Sequence, residues 1–264
     1  MIGAIIGDIV GSRFEFDENN IKTKEFALFH DDCEWTDDSL MTIAVADALM
    51  RWRKGGGDLR NLATESMRSW ARSVPCGGYG GRFADWLFGD DPQPYNSWGN
   101  GSAMRVSACG WMGNTIEEVK SLSLQVTDIT HNHPEGIKGA EATAVAIWLA
   151  RQGWKIPEIR AHIVENYYSM DFTLDAIRSS YRMDESCQGS VPQALEAFLE
   201  SSSFEDAIRN AVSIGGDSDT IAAITGSVAE PYWGVPKDFV ANAKIYLEPR
   251  MVEVVENFKM VCMV

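Results

Sequence analysis

Basic residues are scarce in this chain, paired cysteines are absent, and no long apolar run occurs. Only 23 of the 264 residues are Lys or Arg, against 38 Asp or Glu, which leaves a formal charge of −15. That balance argues against electrostatic affinity for a nucleic-acid backbone or an anionic membrane. No membrane partner is expected, nucleic acid is disfavoured, and a phosphorylated ligand must be held by local means. The five cysteines (Cys33, Cys76, Cys109, Cys187, Cys262) are odd in number, scattered, and form no CxxC pair. They read as reduced thiols, which predicts a cytoplasmic protein. The opening MIGAIIGDIV is apolar but has no basic leader and meets Asp8, so it reads as neither a signal peptide nor a membrane span.

Strand patterning is also missing. No convincing period-2 run appears, whereas apolar residues recur at helical spacing at Leu40, Ile43, Ala44, Ala48 and Leu49, and again at Leu59, Leu62, Ala63, Met67 and Trp70. Similar patterns cover 115–130, 134–151, 155–167, 190–213, 220–230 and 238–259. With no linker, repeat or low-complexity tract, the expectation is one all-α domain over residues 1–264. Gly55 to Gly57 close one helix, Thr115 starts another, and Pro134 and Pro157 fit first-turn positions. The stretch 77–101 is the longest segment expected to be irregular, and its aromatic content favours a functional loop.

Gly3, Gly7 and Gly11 are spaced by four. On a helix they share one face and admit a neighbouring backbone; otherwise they form a glycine-rich loop around a ligand.

Two short acidic clusters stand out: Thr36-Asp37-Asp38, and Asp217-Ser218-Asp219-Thr220 about 180 residues later. Adjacent acids diverge by about 100° on a regular helix and converge only at a helix start. Thr36 or an aspartate there could simply cap the first turn, but capping accounts for one acid and not for a tight pair. Gly215 and Gly216 supply the turn before the second cluster. Buried like charges repel by several kcal/mol unless a cation lies among them. The donors, with Glu15 as a further candidate, are all oxygens, which suits Mg²⁺, Mn²⁺ or Ca²⁺ and favours two ions over one.

Other segments leave alternatives open. His131-Asn132-His133 could bind zinc, could supply a loop histidine that contacts substrate, or could merely place His133 before a helix starting at Pro134; no thiolate or acidic partner lies at a familiar zinc spacing. The run Asn100 to Arg105 opens a helix whose free N–H groups could hold a phosphate. Arg105 could add donors to that site or neutralise a buried acid. Tyr79, Phe83, Tyr95 and Trp98 offer stacking surfaces or form an ordinary aromatic loop.

Taken together, GDIVGSRFE at 7–15, WTDDS at 35–39, GYGGRF at 78–83, SWGNGSAMR at 97–105, TH at 130–131 and GGDSDTIAAITG at 215–226 resemble the ADP-ribosylglycohydrolase family, which includes ADP-ribosyl-arginine hydrolases and the dinitrogenase-reductase-activating glycohydrolase. The resemblance implies a compact, orthogonal multi-helix bundle holding two Mg²⁺ or Mn²⁺ ions. It also implies hydrolysis of the glycosidic bond at the distal ribose of ADP-ribose, attached to a protein side chain or a small conjugate. By motif position Thr36, Asp37, Asp38, Asp217, Asp219 and Thr220 are the implied ligands. Glu15 is the first choice for the catalytic carboxylate and Asp37 the second. Gly78, Tyr79, Gly80, Ser97, Trp98, Asn100, Gly101, Ser102, Met104, Arg105 and His131 are the implied substrate contacts.

Ser39 departs from the family's usual threonine, and Glu230 and Pro231 replace small residues, a change expected to reshape the pocket wall. A monomer is expected. Two rivals are a non-catalytic ADP-ribose-binding or structural protein of the same fold, which would be expected to have lost acids, and a Mg²⁺-dependent nucleotide pyrophosphatase. The latter usually shows ExxE pairs one helical turn apart, whereas the acids here sit at expected helix starts.

Overall fold

A computed structural model describes residues 1–74 and 77–262. Fifteen α-helices follow one another: α1 (Ile2–Gly11), α2 (Asp37–Gly55), α3 (Leu59–Arg72), α4 (Gly81–Phe88), α5 (Gly101–Met104), α6 (Ser107–Met112), α7 (Ile116–Thr127), α8 (Pro134–Arg151), α9 (Ile156–Asn166), α10 (Leu174–Ile177), α11 (Cys187–Leu199), α12 (Phe204–Ile214), α13 (Ser218–Trp233), α14 (Lys237–Tyr246) and α15 (Pro249–Cys262). Among the described residues there is no strand, only an isolated bridge between Gly99 and Ser186. The all-α architecture expected from the periodicity is therefore present.

Local chemistry sets the ends. Thr36, Asp58, Thr115, Thr173, Ser186 and Ser203 each accept a first-turn N–H through the side chain. His133 does the same for α8 through Nδ1, ahead of Pro134. Three expected boundaries change. The pattern over 190–213 is two helices, because the serines 201–203 stop α11 and Ser203 caps α12. The pattern over 238–259 is also two, since Pro249 cannot continue α14. The stretch 77–101 contains α4, whose Phe83, Trp86 and Leu87 turn into the core.

At the centre α1 packs along α13, both buried on nearly every side. The glycine stripe is the reason. A Cβ on Gly3 would overlap the Gly226 carbonyl, one on Gly7 the Ala222 carbonyl, and one on Gly11 would lie 2.5 Å from Asp219 Cα. Of the two readings of the glycine series, close backbone packing holds. Around this pair Ile5, Ile6 and Ile9 join Leu40, Ile43 and Leu49 of α2, Val145 and Leu149 of α8, and Ile221, Ile224 and Val228 of α13 in one continuous core.

Cys33, Cys109, Cys187 and Cys262 are free, and Cys76 lies outside the described residues. No described helix is long and apolar enough to cross a membrane. Glu230 does not reach the wall of the functional cavity. It sits near the far end of α13, accepts from the Gly3 N–H at 2.8 Å, pairs with the Met1 ammonium, and borders a separate apolar cavity.

Candidate metal centre and active-site cavity

The close α1–α13 crossing has a chemical consequence. It sets Asp8, on α1 between Gly7 and Gly11, against Asp219 in the first turn of α13. The start of α2 closes on the same point: Asp8 accepts from the Thr36 N–H (3.0 Å), the Thr36 hydroxyl (2.7 Å), the Ser39 N–H (3.1 Å) and the Ser39 hydroxyl. Ser39, where the family usually has threonine, thus fixes Asp8 against the start of α2. Thr36 uses its oxygen both to cap Asp38 N–H and to donate to Asp8.

Two acidic triads result. Asp8, Asp38 and Asp219 form one, Glu15, Asp217 and Asp219 the other, and within each the oxygens lie within 4.8 Å of one another. Asp219 belongs to both. The turn that presents Asp217 and Asp219 runs through Gly215 and Gly216 at φ +70 and +77, a conformation glycine adopts without strain. Thr220 donates to Asp38 Oδ2 at 3.1 Å, and Asn100 Nδ2 donates to Asp217 Oδ2 at 2.6 Å.

These carboxylates have no cationic side chain among them: none of the ion pairs of the described residues includes one. Two full charges at this separation repel by about 3 kcal/mol even at an effective dielectric near 20. The protonation equilibria respond. Burial, opposed by the Ser39 and Thr36 hydrogen bonds, raises Asp8 to about 6. Burial, then the charges of Asp217, Asp8 and Glu185, raises Glu15 to about 7. Asp37, Asp38 and Asp219 are pushed well above the carboxylate range, first by burial and then by neighbouring acids. Asp38 Oδ1 is buried without a hydrogen-bond partner. An all-oxygen donor set, two triads with a shared member, and an orphaned carboxylate oxygen fit hard divalent cations.

Glu15, Asp38, Asp217 and Asp219 of the triads floor a cavity of about 380 Å³, with Asp8 buried outside its lining. Of the residues expected to bind ions or substrate, Glu15, Asp37, Asp38, Asp217, Asp219, Thr220, Gly78, Gly80, Ser97, Asn100, Gly101, Met104, Arg105 and His131 line it together. Thr36, Tyr79, Trp98 and Ser102 do not. Tyr79 donates to the Val74 carbonyl and packs against Phe83 and Phe88. Trp98, 47% exposed, faces His133 instead. Ser102 is buried behind the wall, donating to the Gly99 and Gly136 carbonyls. Asp8 was missed as a member of the nest; its one sequence signal was an acid inside an apolar, glycine-spaced helix. Phe16, Arg82, Met183 and Glu185 also border the cavity without having been expected there.

Three alternatives raised by the sequence now resolve. The N–H groups of Ser102, Ala103 and Met104 already bond the Gly99 and Asn100 carbonyls, so the short α5 offers little free donor capacity to a phosphate. Arg105 is fully buried and pairs with no acid: its Nη2 donates to the Val126 carbonyl (3.1 Å) and to Thr130 Oγ1 (2.6 Å). Neither histidine of the HxH pair is in an acidic triad; His133 is a helix cap.

His131, 5% exposed, has Nδ1 2.7 Å from Thr130 Oγ1, and burial together with Arg105 holds it well below its usual pKa, hence neutral. Thr130 Oγ1 accepts a hydrogen bond from Arg105 and has two further neighbours, the Thr127 carbonyl at 3.3 Å and His131 Nδ1. The other ring nitrogen, Nε2, lies beside Gly99 and Gly101.

Comparison with known proteins bears on this geometry. The ADP-ribosylglycohydrolase family model matches residues 1–251. The chain is 26% identical to ADP-ribosylarginine hydrolase Tri1 of Pseudomonas putida, over 89% of this chain and 70% of that protein. It is 24% identical to human ADP-ribosylhydrolase ARH3, over 58% of this chain and 55% of the relative, so the match spans about half of that protein's length. A solved structure described as an ADP-ribosylglycohydrolase-related protein complex superposes with TM-score 0.70 at 21% identity, covering 99% of this chain and 93% of the other. That last likeness establishes the fold.

Proposed function

Because the chain belongs to the ADP-ribosylglycohydrolase family, we propose that it is a binuclear metal-dependent hydrolase that cleaves the glycosidic bond between ADP-ribose and a protein side chain or small conjugate. The observation that carries this reading is the pair of acidic triads that share Asp219, have no cationic side chain among them, and place all members but Asp8 on the wall of the cavity. Asp8, Asp38 and Asp219 would hold one ion, and Glu15, Asp217 and Asp219 the other, with Thr36, Thr220 and Asp37 adjacent. Two Mg²⁺ or Mn²⁺ ions bound there supply acidification of water and Lewis-acid affinity for ribose hydroxyls.

The rest belongs to the chain's own residues. Glu15 is the first choice to take a proton from the attacking water, with Asp37 second, both carboxylates facing the cavity. Carboxylates round the anomeric carbon stabilise the oxocarbenium character that develops as the leaving group departs. His131 presents a neutral imidazole to the cavity, and Phe83 and Tyr95 present ring surfaces to a base or sugar. The scattered free thiols favour a cytoplasmic setting, and we take the active unit to be one domain acting as a monomer.

The test is release of free ADP-ribose from arginine-linked, serine-linked, acetyl-ester and nucleic-acid-linked substrates, with Mg²⁺, Mn²⁺ or chelator. Hydrolysis of at least one linkage, lost on chelation and reduced by about 100-fold or more in Glu15→Gln, is the expected result. Failure on every linkage with both ions would leave the non-catalytic alternative standing.

A second expectation concerns pH. Asp8 and Glu15 have folded pKa values above those of the unfolded chain, so the metal-free fold binds extra protons between roughly pH 4 and 7. The contribution of these two groups to stability is full below that window and is lost as pH rises through about 6 to 7; Asp37, Asp38 and Asp219, pushed well above the usual range, extend the loss to higher pH. Cations bind the deprotonated acids and reverse the loss. The rise in melting temperature on adding Mg²⁺ should therefore be small at pH 5 and large at pH 8; a pH-independent rise would contradict ion binding at these acids.

A further inference from the structure

Glu15 does not lie on a regular helix. It follows the 3-10 turn Ser12–Phe14, and the next residue, Phe16, sits at φ +65, a region a bulky side chain rarely occupies. Something must hold this turn against the start of α13 if Glu15 is to share an ion with Asp217 and Asp219.

The half-buried amide of Asn20 makes the contacts that do so. Its Nδ2 donates to the Phe14 carbonyl at 2.8 Å, to the Phe16 carbonyl at 2.8 Å and to the Gly216 carbonyl at 3.1 Å. Its Oδ1 accepts from the Gly216 N–H at 2.6 Å. One side chain thus grips the backbone on both sides of Glu15 and the backbone immediately before Asp217. A Cβ on Gly215 would overlap Asn20 Oδ1, so the glycine makes room for this amide. Ser218 adds a strut by donating to the Phe14 carbonyl at 3.0 Å.

We propose that Asn20 is a positioning residue that docks the Glu15 turn onto the Gly215–Gly216 turn and so completes the triad of Glu15, Asp217 and Asp219. The inference rests on the metal-dependent reading above. Asn20 lies outside the cavity lining and acts only through the backbone it clamps. In the other triad Asp8 is held by Thr36 and Ser39, and only Asp219 is common to both.

Calorimetric titration of Mn²⁺ into the chelator-stripped full chain, with melting curves alongside, separates this role from general stability. Wild type should bind two ions. In Asn20→Ala one site should weaken by about 10- to 100-fold while the other keeps its affinity, the range seen when a group that orients a ligand is removed. Asn20→Ser, which keeps a single short donor, should weaken the same site and serves in its place if the alanine variant does not fold. Lys24→Ala is the control. Lys24 pins the same segment by pairing with Asp206 in the first turn of α12, away from both the glycine turn and the Glu15 turn. It should lower the melting temperature and leave both affinities intact.

Equal ion affinities in wild type and the Asn20 variants would overturn the positioning role and leave the metal reading standing. Equal weakening by Lys24→Ala would also overturn it, by reducing it to loop stability. A wild-type protein that binds no Mn²⁺ would remove the metal reading itself, and this inference with it.

Discussion

Asp219→Ala is expected to lose turnover on any ADP-ribose conjugate more completely than other single changes of an acid in the nest. Asp219 is the one carboxylate within 4.8 Å of both remaining pairs, Asp8 with Asp38 and Glu15 with Asp217, so its removal opens both triads. Loss of a group that merely orients a ligand costs about 10- to 100-fold, and a shared ligand should cost at least the upper end of that range. The fold should survive, because the substitution relieves like-charge crowding: burial and the charges of Asp217, Asp38, Glu15 and Asp8 all oppose ionisation of Asp219. The metal-free variant is therefore expected to melt no lower than metal-free wild type at pH 8, where repulsion is greatest. Retained turnover, or a melting point several degrees lower in the absence of metal, would show that Asp219 plays some other part.

The second large effect is on stability. Gly7→Ala adds one methyl group, yet its Cβ would overlap the Ala222 carbonyl and crowd the Ala223 nitrogen, all of it backbone that cannot rotate away. Overpacking of a core ordinarily costs about 1–3 kcal/mol, occasionally more, and this site belongs at the upper end. For a chain of this size about 3 kcal/mol corresponds to a fall in melting temperature of roughly 6–12 °C. The same substitution must also push α1 away from α13. Asp8 and Asp219 move apart with the helices, so Mn²⁺ affinity should fall in whatever folded protein remains. Gly153→Ala is a useful contrast. Gly153, unlike the helical Gly7, sits at positive φ, but nothing lies within 4 Å of the added atom, so only the backbone conformation is strained and the ion site is untouched. Equal melting and ion affinity in Gly7→Ala and wild type would mean that the helices do not cross this closely.

Legibility followed the range of the interactions. The helical class was readable because apolar spacing and caps such as Thr36, Thr115 and Pro134 act within one or two turns. The two aspartate clusters were readable because like charges placed side by side need an explanation whatever the fold. Boundaries that depend on a single break, at serines 201–203 and at Pro249, were blurred by the apolar pattern running across them. Asp8 could not be identified as part of the nest, since its partners Thr36, Ser39, Asp38 and Asp219 come from two other helices. Trp98 and Tyr79 looked like stacking surfaces because an aromatic in a loop carries no signal of which way it points.

The chain's order of residues by itself determined that the protein is helical, where its acids cluster, which metals those oxygens suit, and which family the motifs resemble. Each of these depends on residue type and short spacing. Tertiary structure alone decided that Asp8 completes one triad and that Asp219 serves two. Those outcomes depend on how closely two backbones can approach, and it is the glycine face of α1 against α13 that sets the distance.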